Sequence, residues 1–265
     1  MSLLKKIIIS LVSILFFSLC LLACKHEHHG EGHEHKSHEH KKSHSHDNPE
    51  HKKGHHHHEK GHGHAHANEH MNQTSFEDLV QRFDSPERDA YQQPDKVLAY
   101  IGEVKGKKIL DIGAGTGYFS FKLAAKGADV IAGDVDDRFQ NYIQEKIEKE
   151  DAPKVTLRKL PYDSPALAEK EVDKVLIVNT YHHIEDRVAY FGKVLKGLKD
   201  GGELLVIDFK KQDGPGPPVA MKMTADFITK ELKQAGFTEF EVNDSLLENQ
   251  YIIRAKKEVR NQTEK

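Results

Sequence analysis

Lys108-Ile109-Leu110-Asp111-Ile112-Gly113-Ala114-Gly115-Thr116-Gly117 is the stretch on which the fold turns. Its first five residues read as a short apolar strand. A turn with glycine at every second position follows, and Tyr118 to Ala125 then carries helical spacing. Strand, glycine turn and helix N-terminus together make a ligand cradle in α/β proteins. Glycine lets the backbone approach the ligand, and the helix start presents unpaired N–H groups. The details narrow the ligand. The spacing is G-x-G-x-G rather than the G-x-G-x-x-G of a dinucleotide fold, and no Lys-Ser/Thr pair follows, as a nucleotide-phosphate loop needs. An acid, Asp111, sits at the strand end, which suits a cationic ligand part better than a pyrophosphate.

Outward from this stretch, apolar runs near 129–133, 155–159, 173–179 and 203–209 alternate with helical patterns near 138–149, 187–198 and 225–235. Pro94 opens a further helix, Asp95 to Ile101, ahead of the first strand, where proline suits the first helical position. Such alternation predicts an α/β, doubly wound parallel sheet with helices on both faces. Glu239 to Leu246 and Tyr251 to Lys256, joined by a short link around Asn249, suit a hairpin. Gly127 and Gly236 fit helix C-caps, and Asp136 and Asp137 fit the N-cap of the helix from Arg138 to Lys149.

Asp111-x-Gly113-x-Gly115-x-Gly117 resembles motif I of the class I S-adenosylmethionine-dependent methyltransferases. Val130 to Asp134 is similar to that family's second strand, which ends in the acid that takes the ribose hydroxyls. Val155 to Lys159 resembles its third strand, with Asp163 in the loop that contacts the adenine amino group. Val172 to Asn179 resembles its fourth strand, followed by Thr180-Tyr181-His182-His183-Ile184-Glu185-Asp186. Gly201-Gly202-Glu203 to Phe209 resembles the fifth, with Asp200 where proline is common. The resemblance spans roughly residues 93–256. It implies a mostly parallel, seven-stranded, Rossmann-like sheet with an antiparallel C-terminal strand, and S-adenosyl-L-methionine as cofactor. It implies cofactor binding at Asp111, Gly113, Gly115, Gly117, Asp134, Asp163 and Asn179. Each acid also has a plainer reading. Asp111 can cap the loop amides, Asp134 can be an ordinary strand-end acid, and the loop that holds Asp163 has no fixed length in the family.

The implied chemistry is methyl transfer from a sulfonium to a nucleophile in line, on a small-molecule acceptor that nothing in the sequence names. His182 and His183 are the candidate bases, against a structural role bonding the loop backbone. Tyr181 lines either the acceptor pocket or the core. The acceptor is expected between the N-terminal helix and the stiff loop Lys211 to Pro218. Pro86 to Pro94 reads as a lid over the cofactor or as the start of a capping helix.

Composition divides the rest of the chain. Of 265 residues, 20 are histidine, and 18 of these fall between His26 and His70, where the only apolar side chains are Ala65 and Ala67. Such a stretch cannot bury enough apolar surface to offset the entropy of ordering it. The expected organisation is a leader over 1–23, a disordered His-rich tether over 24–73, a methyltransferase domain over 74–258 and a disordered tail over 259–265. The net charge of −3 and the lack of a basic block argue against a dedicated nucleic-acid binder. Both cysteines, Cys20 and Cys24, precede residue 25, which excludes a disulfide framework or a Cys-based zinc site in the domain.

Lys5 and Lys6 precede a 17-residue, almost wholly apolar run, Ile7 to Ala23. Its end, Leu21-Leu22-Ala23-Cys24, resembles a bacterial lipobox. That resemblance implies cleavage before Cys24 and lipidation of its thiol, and the alternative is an uncleaved membrane anchor. Either one tethers the chain to a membrane, facing the periplasm or the outside. Imidazoles at His55, His56, His57, His58, His62, His64 and His66 make the densest part of the tract and suit several weak, exchangeable sites for divalent zinc, nickel or copper. A solvated spacer is the competing reading, and interspersed histidines with no run of six argue against an expression tag. The address conflicts with a cofactor made in the cytosol. Three readings follow: an enzyme supplied with cofactor outside the cytosol, a metal-binding lipoprotein whose methyltransferase fold is only a binding module, or a second, cytosolic form starting at Met71.

Overall fold

A computed structural model describes Met71 and residues 73–257 of the chain. The leader, Cys24 and the metal-binding histidines expected from the sequence lie outside these described residues. Ahead of the sheet, the described residues hold the helices α1 (Phe76–Phe83), α2 (Pro86–Gln92) and α3 (Pro94–Ile101). Seven strands and four helices follow in the order β1 (Lys108–Ile112), α4 (Tyr118–Ala125), β2 (Asp129–Asp134), α5 (Asp137–Glu150), β3 (Val155–Lys159), β4 (Val172–Val178), α6 (Arg187–Gly197), β5 (Leu198–Phe209), α7 (Ala225–Gln234), β6 (Glu239–Asn243) and β7 (Gln250–Lys256). A short 3-10 turn, Tyr181–His183, follows β4.

The strands form one sheet in the order β3-β2-β1-β4-β5-β7-β6. Neighbours from β3 through β5 are parallel, and β7 runs antiparallel to both β5 and β6. This is the doubly wound, mostly parallel sheet with one antiparallel strand that the sequence implies. The central strands read as continuous apolar runs because both faces are covered. Leu110, Ile112, Val175, Ile177, Leu204, Val206 and Ile253 pack with the apolar side chains of α6 and α7. Ile109, Leu176, Leu205, Ile207 and Ile252 pack with those of α3 and α4 on the opposite face. Strand order reverses between β1 and β4, so their outgoing connections leave on opposite sides. Open α/β sheets bind ligands in the crevice this creates, at the carboxyl edge.

Local chemistry sets the boundaries. β1 and α4 span the residues expected. Asp136 caps α5 by accepting from Arg138 N, so Asp137 is the first helical residue rather than the cap. β6 is shorter than the apolar pattern suggests because Asn243 Oδ1 accepts from Ser245 N and Leu246 N, bending the chain away from the ladder. β5 begins at Leu198 rather than Glu203. Its pairing with β4 slips between Val172 and Lys174, so a bulged lead-in precedes the regular register.

Candidate functional site

The glycine turn is held on two sides. Gly113 N and Ala114 N both donate to Gly133 O, at 2.8 and 3.0 Å. Gly113 has φ +69°, and a Cβ there would sit 2.4 Å from Thr180 Cγ2. Only glycine lets the turn lie this close to the segment that leaves β4. Gly115 N donates to Asp134 Oδ2 and Asp136 N donates to Asp134 Oδ1, both at 2.9 Å. Asp134 is buried, and burial pushes its carboxyl upward while these amide bonds oppose the shift. Ser120 Oγ, in the first turn of α4, donates to Asp111 Oδ2 at 2.7 Å. Burial pushes Asp111 up to about 6, against the lowering effects of Ser120 and the Arg88 guanidinium.

The segment before the sheet closes over this turn. Pro86–Gln92 is a helix, capped by Ser85, and it is also a cover. Phe83 lies beside Gly115, where a Cβ would be 3.3 Å from the ring edge. Thr116 Oγ1 donates to Asp84 Oδ1 at 2.6 Å. Arg88 Nη1 donates to Phe83 O at 2.9 Å, its guanidinium lies 4.0 Å over the Tyr118 ring, and the Tyr118 hydroxyl donates to Asp89. A closed ring of side-chain amides fixes the end of α2. Gln92 donates to Gln250, Gln250 donates to Asn179, and Asn179 donates to Gln92, at 2.8, 2.6 and 3.1 Å.

The other side of the crevice holds a cavity of about 340 Å³. His182 lines it, together with Lys211, Met221, Lys222, Met223 and Phe227. Asp208, near the carboxyl end of β5, accepts from Phe209 N through Oδ1. Its other oxygen, Oδ2, is buried, accepts no hydrogen bond among the described residues, and lies 3.5 Å from His182 Nδ1. A buried carboxylate oxygen is costly to leave unpaired. This one is aimed at a ring that gains a second N–H when protonated.

The structure brings Asp111, Gly113, Gly115, Gly117 and Asp134 together, and Gly113 lies against Thr180, two residues before His182. It does not bring in Asp163, whose side chain is 81% exposed and ion-paired with Lys193 at 3.2 Å. Asn179 stands beside the cradle at φ +55°, with both ends of its amide committed to the ring. Tyr181 belongs to the core, stacked on Phe191 with its hydroxyl on Glu231 Oε2 at 2.9 Å. His183 is half-buried, and its ring tilts against His182 at 4.3 Å. The cavity is walled by the loop after β5 and the start of α7, not by the N-terminal helix expected there. Asp208 was hidden inside an apolar strand in the sequence. The signal for it was an acid at a strand end, the same position that Asp111 and Asp134 occupy in β1 and β2.

The methyltransferase-domain family matches residues 109–202, from β1 through the bulged lead-in of β5. A tRNA U34 carboxymethyltransferase of Pseudoalteromonas translucida is 31% identical over 114 residues, which is 42% of this chain and 35% of that protein. A ubiquinone biosynthesis O-methyltransferase of Acinetobacter baylyi is 26% identical over 106 residues, 40% of this chain and 44% of that one. The chain therefore spans less than half the length of these curated relatives. A crystal structure of a SAM-dependent methyltransferase from Aquifex aeolicus aligns with TM-score 0.64 at 24% identity, covering 69% of this chain and 99% of that one, and so shares the fold. Among the described residues, no group of three His, Cys, Asp or Glu side chains could hold a metal ion, and no helix is long and apolar enough to cross a membrane.

Proposed function

We propose that the chain transfers a methyl group from S-adenosyl-L-methionine to a small-molecule acceptor. The observation that carries this reading is the clamp on Gly113, which places the glycine turn against Thr180, two residues before the cavity-lining His182. The cradle fits the cofactor. The Asp134 oxygens each take one amide and keep a further lone pair for a ribose hydroxyl. Asp111 supplies a counter-charge for a cationic end. Bound there, S-adenosylmethionine would supply a methyl group on a cationic sulfur, open to in-line attack by a nucleophile. The chain's own part is to exclude water beneath α1 and α2, hold the acceptor in the cavity, and take its proton at the His182 imidazole, with Asp208 stabilising the resulting cation. The net charge of −3 and a cavity of about 340 Å³ favour a small acceptor over the tRNA of the Pseudoalteromonas relative.

Calorimetric titration of S-adenosylhomocysteine into the full chain tests the reading. Binding is expected, and Asp134→Ala is expected to weaken it about thirtyfold, the ~2 kcal/mol of hydrogen bonds to a charged acceptor. Folded wild type that binds nothing would overturn the proposal.

The same titration carries a pH prediction. The Asp111 carboxyl sits at about 6, above its ordinary 3.8. The proton it holds therefore stabilises the fold at low pH, and that stabilisation is lost as pH rises through about 6. A cationic ligand needs the ionised form, so it works in the opposite direction. Affinity is expected to fall roughly tenfold from pH 7 to pH 5 as the ionised fraction drops. In Asp111→Asn it should stay flat, and an equally flat wild-type profile would separate Asp111 from the ligand.

We propose, from the sequence, that lipidated Cys24 tethers the enzyme at a membrane and that the histidine tract captures zinc, nickel or copper. Sequencing the N-termini made in cells tests the tether, because peptides starting at Met71 or Asn72 would reveal an untethered form. Metal titration with and without residues 26–70 tests the tract.

A further inference from the structure

The cavity lining contains a buried cation with no counter-charge among the described residues. Lys222 is 5% exposed. Its Nζ donates to Gln212 O and Pro215 O, each at 2.9 Å, and lies 5.5 Å from the centre of the Phe209 ring. An ammonium has three donors, and these carbonyls take two. No carboxylate among the described residues pairs with it. The contrast within the same wall is Arg187, whose guanidinium is closed by Glu231 at 2.7 Å. Burying an unpaired ammonium is costly, and an apolar side chain would fill the space among Met221, Met223 and Phe227 without that penalty. The loop that supplies the two carbonyls carries Pro215, Pro217 and Pro218, so it is stiff enough to hold Nζ in place beside the cavity-lining residues. Lys211 adds a second cation on the exposed part of the lining, also without a carboxylate partner among the described residues.

We infer that this cavity is the subsite for an anionic group of the methyl acceptor, a carboxylate or a phosphate, which completes the third bond of Lys222 while Lys211 closes the rim. The inference rests on the methyl-transfer reading and sharpens it. The acceptor is a small anion that also carries an O–H or N–H nucleophile within reach of His182.

Benzoate, phenyl phosphate and neutral benzamide, titrated into the full chain with and without S-adenosylhomocysteine, test it. At least one anion is expected to bind about tenfold tighter than benzamide, and the order of the two anions tells carboxylate from phosphate. Lys222→Met is expected to erase the preference and Lys222→Arg to keep most of it. Lys211→Met, at an exposed position, should cut it about threefold and carries the test if Lys222→Met fails to fold. Equal binding of all three probes, no binding of any, or a preference that survives both Met variants would overturn the inference. Failure of S-adenosylhomocysteine to bind would overturn the methyl-transfer reading instead, while the anion preference is still read without it.

Discussion

Gly113→Ala is expected to destabilise the folded chain by about 3 kcal/mol, and to do so through two separable effects. At φ +69° an L side chain occupies the left-handed region, which costs about 1–2 kcal/mol. The new methyl also meets Thr180 Cγ2 at 2.4 Å and Oγ1 at 2.6 Å, and overpacking of this kind costs about 1–3 kcal/mol. Thr180 cannot swing aside freely, because its hydroxyl donates to Val178 O at 2.9 Å. The second effect can be removed alone. Thr180→Ala deletes these two contacts, keeps only the Thr180 Cβ approach at 3.0 Å, and leaves the backbone strain in place. Chemical denaturation of the two single variants and the double should give a coupling of about 1–2 kcal/mol, with the double variant more stable than additivity allows. Strict additivity would show that turn and segment do not press on one another. The proposed base, His182, would then not be tied to the cradle.

That coupling also explains why some of this architecture was legible in the sequence and some was not. The glycine turn could be read because its chemistry is local: alternating glycines between an apolar run and a helical pattern admit few structures. The acid closing β2 could be read for the same reason, since the pattern around Asp134 fixes its strand. The parallel sheet with helices on both faces followed from the alternation of strands and helices, and the antiparallel C-terminal strand from the family resemblance. What the sequence did not show were the partners of side chains that bond to residues far along the chain. Asn179 follows the fourth strand directly, yet Gln92 and Gln250 claim its amide. Asp163 follows the third strand, yet Lys193 holds it at the surface. Asp208 and Lys222 were missed for the converse reason. Each looks ordinary among its neighbours, and acquires meaning only when β5 and the loop after it are folded against the turn that carries His182.

His182→Ala is expected to reduce methyl transfer about 10³-fold once an acceptor is in hand, within the range for losing a positioned general base. The more searching variant is Asp208→Asn. Asp208 Oδ2 has no hydrogen-bond donor among the described residues and stands 3.5 Å from His182 Nδ1. A ring that takes the acceptor's proton at Nε2 carries its own proton on Nδ1, facing Asp208, so protonation adds the full charge opposite the carboxylate. The interaction therefore strengthens as the proton leaves the acceptor, which is the condition for lowering a barrier rather than merely binding substrate. Asn keeps the shape and removes the charge. A loss of about thirtyfold in kcat is expected, or ~2 kcal/mol, with KM for the acceptor little changed. The thermal midpoint should hold or rise, because a buried and unpaired carboxylate has been removed. A rise in KM with kcat intact would make Asp208 a binding residue. No kinetic effect beside a lower midpoint would make it structural, and the burden of accepting the proton would pass to His183, whose ring lies against His182 at 4.3 Å.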